Sequence, residues 1–149
     1  MKERFVLLVE DNPDDELLSL RALKKSNLTN EVIVVRDGVE ALDFLFGRGA
    51  YASRDPDHRP ELVLLDLRLP KVDGIEVLRQ LRTDERTQSL PVIVLTASAR
   101  DRDVVDSVTY GAHAYMRKPI DFDQFVAAAR ELGLQFVVLK DDLPDEEAL

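Results

Sequence analysis

The chain has 149 residues, a formal net charge of −9, 45% apolar and 33% charged residues, and no cysteine. That length suits one domain with a sizeable core, and the lack of cysteine excludes disulfides and thiolate metal sites. No apolar run approaches the roughly 18 residues of a membrane span, the N-terminus lacks a signal-peptide layout, and the negative balance opposes nucleic-acid binding. A cytoplasmic protein touching neither membrane nor nucleic acid is therefore expected.

In chain order, Phe5–Val9 is an unbroken apolar run, the pattern of a strand covered on both faces. It stops at Glu10-Asp11-Asn12-Pro13-Asp14-Asp15-Glu16. Pro13 suits the first helical position, Asn12 the N-cap, and Asp14, Asp15 and Glu16 the first turn. The helix runs through Leu17, Leu20 and Leu23 to about Lys25. Val32–Val35 is a short β-branched strand, and Asp37-Gly38 turns it into a helix carrying Val39, Leu42, Leu45 and Phe46. Residues 48–60 contain Gly49, Pro56 and Pro60 and read as a long polar loop, with His58 solvated in it.

Leu62–Leu65 is a second unbroken apolar run, ending in the single carboxylate of Asp66 and then in a loop with Pro70 and Gly74. A helix near residues 74–82 turns Ile75, Leu78 and Leu81 inward. Pro91–Leu95 is a fourth strand ending at Thr96. Residues 101–110 form a helix stopped by Gly111, with modest helicity because Val104, Val105, Val108 and Thr109 are β-branched. His113 reads as a turn residue, and Ala114–Arg117 is a fifth strand ending at Lys118-Pro119. The last helix begins near Asp121 and carries Phe122, Phe125, Val126, Ala129, Leu132 and Phe136 on one stripe. Strands alternating with helices imply an α/β, doubly wound, five-stranded parallel sheet with helices on both faces.

The candidate functional residues all stand where strands end: Glu10 and Asp11, Asp66, Thr96 and Lys118. In a parallel sheet these ends share one edge. Three carboxylates gathered there repel by about 4 kcal/mol per pair at 4 Å and an effective dielectric near 20, so the cluster calls for a cation. Oxygen ligands without His or Cys favour Mg²⁺, which beside a carboxylate makes phosphoryl transfer onto that carboxylate feasible. Lys118 and the Thr96 hydroxyl supply donors for phosphoryl oxygens. Asp14, Asp15 and Glu16 read as helix-capping groups rather than ligands.

The segments VLLVEDNPDD, LVLLDLRLPKVDGIEVL, PVIVLTAS and GAHAYMRKPID resemble a response-regulator receiver domain of two-component signalling, over Phe5 to Leu132. The resemblance implies a flavodoxin-like strand order of 2-1-3-4-5. It also implies that Asp66 is the phosphoacceptor and that Asp11 ligates Mg²⁺ directly. Glu10 would ligate through water and Arg68 through its carbonyl. Thr96, the Ala97 N–H and Lys118 would contact the phosphoryl group, Lys118-Pro119 would be a cis peptide, and Tyr115 would be the aromatic switch coupled to Thr96. The chain departs from the commoner family pattern at Glu10, where Asp is usual, and Arg68 and Ser98 occupy the variable positions that tune dephosphorylation.

ALDFLFGRGAY with its long following loop, LPKVDG, KPIDFDQF and an extended last helix resemble, more narrowly, the stand-alone receivers that partner phytochrome histidine kinases. The expected organisation is a receiver over residues 1–139 and a disordered acidic tail over 140–149, with no output domain. Phe136, Val137, Val138 and Leu139 form an apolar patch expected to pair two copies into a homodimer. The expected function is a self-acting phosphoacceptor switch, not an enzyme. It would be served by a sensor histidine kinase and act on an unidentified downstream protein or phosphotransfer partner. A phosphorylation-independent receiver-fold adaptor is the alternative. A haloacid-dehalogenase phosphatase would place a second Asp at position 68, where Arg68 stands. A flavodoxin would not place acids where its cofactor phosphate binds.

Overall fold

The computed structural model describes residues 5–25, 31–96, 110–118 and 120–131. The expectations for Ala97, Ser98, the helix over 101–109, Pro119 and its peptide bond, Phe136–Leu139 and the 140–149 tail lie outside them.

The sheet is built on β1 (Phe5–Val9), β3 (Leu62–Asp66) and β4 (Val92–Thr96), every residue of which is buried. With β2 (Glu31–Val35) and β5 (Ala114–Arg117) at the edges, all five strands run parallel in the order β2-β1-β3-β4-β5. Strand residues alternate between faces, and each face has its own core. One gathers Phe5, Leu7, Val9, Val63, Leu65, Val92 and Val94 beneath α2 (Gly38–Phe46) and α3 (Gly74–Thr83). The other gathers Val6, Leu8, Leu62, Leu64, Ile93, Leu95 and Met116 beneath α1 (Pro13–Lys25) and α4 (Phe122–Glu131). Unbroken apolar runs are what a sheet covered on both sides requires.

The helix starts follow their caps. Asn12 Oδ1 accepts from the N–H groups of Asp14 and Asp15 at 2.9 and 3.0 Å, and Asp37 Oδ1 accepts from Glu40 N–H at 2.7 Å. Asp121 Oδ2 accepts from Gln124 N–H at 3.1 Å, so Asp121 precedes α4 as its cap. On α1 Leu23 is buried and Leu20 packs against the core as its spacing implies, but Leu17 is 50% exposed, and Ser19 and Ala22 are buried beside Leu23. Val39 on α2 is also exposed. Leu78 and Leu81 are fully buried as α3's spacing implies.

Residues 48–60 form the expected long loop, largely exposed, but several of its side chains pack back on the sheet. A short 3-10 turn at Gly49–Tyr51 sets Tyr51 edge-on to Phe44 at 5.1 Å, and the Arg54 guanidinium lies 3.9 Å above the Phe44 ring. His58, expected in solvent, packs edge-on against Phe5 at 5.0 Å. The segment thus seals the end of the sheet where the strands begin. At the other end, Gly38 lets the turn after β3 pass close to α2: its N–H reaches Pro70 O at 3.4 Å, and a Cβ there would overlap the Val72 carbonyl.

Candidate functional site

Register brings the strand ends together. Val9 pairs with Leu65, Asp66 with Leu95, and Thr96 with Arg117, so Glu10, Asp66, Thr96 and Lys118 fall on one edge of the sheet. Alternation then sorts them. Glu10 continues the parity of Val6 and Leu8, Asp66 that of Leu62 and Leu64, and Lys118 that of Met116. These three side chains therefore emerge on the α1 side of the sheet, and there they meet. Lys118 Nζ stands 2.8 Å from Glu10 Oε1 and 2.9 Å from Asp66 Oδ2. Asp66 Oδ1 accepts from Arg68 N–H at 3.0 Å, so the turn after β3 fixes the rotation of the carboxylate. Asp11, exposed at the mouth, completes a group in which oxygens of Glu10, Asp11 and Asp66 all lie within 4.8 Å of one another.

Glu10 and Asp66 are 0% and 3% exposed. Burial pushes the Glu10 carboxyl up to about 7, a hydrogen bond with Asp66 adds to the rise, and the Lys118 ammonium pulls against it. Burial by itself would lower Lys118, but its hydrogen bonds to Glu10, Asp15 and Asp66 outweigh that and raise it. The ammonium is thus firmly charged. The oxygen-only donor set suits a hard divalent cation, which would offset the repulsion the single ammonium leaves.

The other expected site residues are placed less centrally. Thr96 ends β4, 4% exposed. Tyr115 lies in β5 with about half its surface in solvent. The Arg68 side chain is exposed while its backbone N–H is engaged with Asp66. One residue was missed. Asp15, read as a capping group, extends its Oδ2 to 2.9 Å from Lys118 Nζ, while the cap itself is made by Asn12. An acidic first turn is common in helices of every kind, and nothing in its spacing distinguishes a residue that reaches into a site.

The family model for the response regulator receiver domain matches residues 6–130. The response regulator Rcp1 of a Synechocystis strain is 40% identical over 115 residues, which cover 77% of this chain and 76% of Rcp1. A probable methanogenesis regulatory protein, FilR2, of Methanothrix harundinacea is 40% identical over 129 residues, 86% of this chain and 80% of FilR2. The solved bacteriophytochrome response regulator AtBRR superposes with a TM-score of 0.83 at 46% identity, covering 94% of this chain and 99% of AtBRR. The phosphorylated cyanobacterial phytochrome response regulator RcpA superposes with a TM-score of 0.75 at 37% identity, covering 93% of this chain and 99% of RcpA. The chain belongs to the response regulator receiver domain family.

Proposed function

We propose that the chain is a response regulator that accepts a phosphoryl group on Asp66 from a sensor histidine kinase. The observation that carries this is the state of Asp66. Its carboxylate is buried at the strand edge, clasped between Lys118 Nζ and Arg68 N–H, with the oxygens of Glu10 and Asp11 beside it. In the transfer an Asp66 oxygen attacks phosphorus, the P–N bond of a phosphohistidine breaks, and the electron pair leaves on the imidazole, giving an acyl phosphate. Lys118 donates to the phosphoryl oxygens, and the Thr96 hydroxyl is the second donor. Glu10, Asp11, Asp66 and the Arg68 carbonyl would hold Mg²⁺, whose charge offsets that of the incoming group. Ala97 N–H, outside the described residues, belongs to the same reading.

The kinase is proposed to be a phytochrome kinase, on the similarity to the phytochrome response regulators AtBRR and RcpA. Output passes through Thr96 and Tyr115 to a protein partner or a phosphorelay. The Tyr115 ring is half-exposed on β5 and so is not locked into the core, as a two-state switch requires. Asp66→Asn tests the assignment: with Mg²⁺ and radiolabelled acetyl phosphate or kinase, the wild-type chain takes up label and the variant loses it. Label persisting in Asp66→Asn overturns the reading.

A further inference from the structure

The Lys118 ammonium has three N–H donors, and three carboxylates take them: Glu10 Oε1 at 2.8 Å, Asp66 Oδ2 at 2.9 Å and Asp15 Oδ2 at 2.9 Å. The first two belong to the strand-end cluster. The third comes from the first turn of α1 and has had no role so far. We propose that Asp15 is a positioning residue: it orients the Lys118 ammonium so that one N–H is already directed to where a phosphoryl oxygen forms. The inference rests on the phosphoacceptor reading of Asp66 and adds to it.

The Lys118 side chain is 8% exposed, Glu10 0% and Asp66 4%, so none of the three can re-solvate when the site changes. Asp15, at 34%, sits at the boundary between the cluster and solvent. Its backbone N–H is held by Asn12 Oδ1 at 3.0 Å, which pins the residue at the helix start and leaves its carboxylate to reach across to β5's end. When Asp66 becomes an acyl phosphate, its oxygens lose their full charge and become weak acceptors. The N–H that Lys118 gave to Asp66 then passes to a phosphoryl oxygen, while the bonds to Glu10 and Asp15 persist. Two fixed acceptors define the direction of the third N–H; one acceptor leaves the ammonium free to rotate about a single bond. Misplacement of a group by about 1 Å can cost up to 100-fold in rate, so loss of one anchor is expected to slow transfer about tenfold.

The test measures labelling by acetyl phosphate with Mg²⁺ in wild type, Asp15→Ala, Lys118→Ala and the double variant. A wild-type chain that takes no label means the phosphoacceptor reading itself has failed. With wild type labelled, Asp15→Ala should label about tenfold more slowly, and the same change in a Lys118→Ala background should alter the rate by less than twofold. Equal slowing in both backgrounds would mean that Asp15 serves the fold or the mouth of the site and not Lys118, and overturns the proposal. So does an Asp15→Ala rate within twofold of wild type. A metal-free readout stands beside these. The buried, triply bonded Lys118 ammonium should give a slowly exchanging ¹H–¹⁵N resonance, absent from Lys118→Ala and broadened or lost in Asp15→Ala. If Lys118→Ala labels too slowly to measure, that resonance decides, and its persistence unchanged in Asp15→Ala overturns the proposal.

Discussion

Truncating Arg54 should separate the stability of the fold from the chemistry of the site. Its guanidinium lies 3.9 Å over the Phe44 ring and 5.6 Å over Phe5, and donates to the Phe44 carbonyl at 2.7 Å and to the His58 carbonyl. Burial holds its pKa below the usual arginine value, so the group is partly desolvated and these contacts are weakly screened. A partly desolvated cation–π contact contributes about 1–2 kcal/mol. Each hydrogen bond from a charged donor contributes about 1.5 kcal/mol. Against this stands about 1.5 kcal/mol of arginine rotamer entropy regained on truncation. Arg54→Ala should therefore lose about 3 kcal/mol, a fall of ~1.5 M in the urea midpoint for a slope near 2 kcal/mol/M. Arg54→Lys keeps the charge but not the fork that serves two carbonyls, and should recover only about 1 kcal/mol. Phe5 begins β1 and Glu10 follows its end, so the perturbation sits ~16 Å of strand away from the carboxylates. Urea melts followed by circular dichroism, with acetyl phosphate labelling of the folded variant, make the measurement. A loss below about 1 kcal/mol would show that the segment is not fastened by Arg54. A changed labelling rate in the folded variant would show that the two ends of the sheet are coupled.

Two further perturbations have opposite local logic. Gly38→Ala would stabilise α2 by up to about 1 kcal/mol on helix propensity alone. Instead the added Cβ meets the Val72 carbonyl, and a net loss of about 2 kcal/mol is expected, a fall of ~1 M in the urea midpoint, because the Pro70–Val72 turn must move; a gain in stability would refute the close approach. His113 Nδ1 accepts from Val92 N–H at 3.2 Å and faces Arg82 Nη2 at 3.3 Å, so its ring is held neutral. Burial and then Arg82 lower its pKa below 6.5. The unfolded chain accordingly binds the proton more readily, and stability falls as pH drops from about 6.5 through the lower folded value. His113→Gln should flatten that part of the pH–stability profile, and a slope unchanged in the variant would assign it elsewhere.

What could be read from sequence followed physical constraints that act locally. Leu62–Leu65 had to be a doubly covered strand because no alternation was left for a solvated face, and Asn12-Pro13 and Asp37-Gly38 carry cap chemistry that works over three residues. The convergence of Glu10, Asp66 and Lys118 followed from strand ends sharing an edge, an edge that Thr96 also shares. What escaped depended on orientation across distance. The phase of α1 is decided by the sheet beneath it, so Leu17 is exposed although it shares the spacing of Leu20 and Leu23, while the polar Ser19 is buried. Arg54 and His58 are polar by composition yet present flat faces to aromatic rings, and composition does not record a partner's ring. Asp15 carries the same signal whether it favours a helix start or reaches 2.9 Å from Lys118.

The charge balance explains why the site needs so much buried strand behind it. With every carboxyl ionised, Glu10, Asp11, Asp15 and Asp66 place four negative charges around the one positive charge of Lys118, a local sum of −3. At 4.8 Å each carboxylate pair repels by about 3.5 kcal/mol for an effective dielectric near 20, and an ammonium at 2.9 Å attracts by about 6 kcal/mol. Lys118 can therefore offset its nearest neighbours but not Asp11 as well. The rise of Glu10 to about 7 comes first from the burial of its carboxyl, with neighbouring Asp66 adding to it and Lys118 opposing it. Such an arrangement persists only because β1, β3 and β4 are buried along their whole length, so the strand ends cannot splay to separate the charges. On the proposed phosphoacceptor reading, this rigid edge holds the carboxylates together against their repulsion until a divalent cation offsets it, and only then does an anionic phosphoryl group meet an electrostatically balanced site.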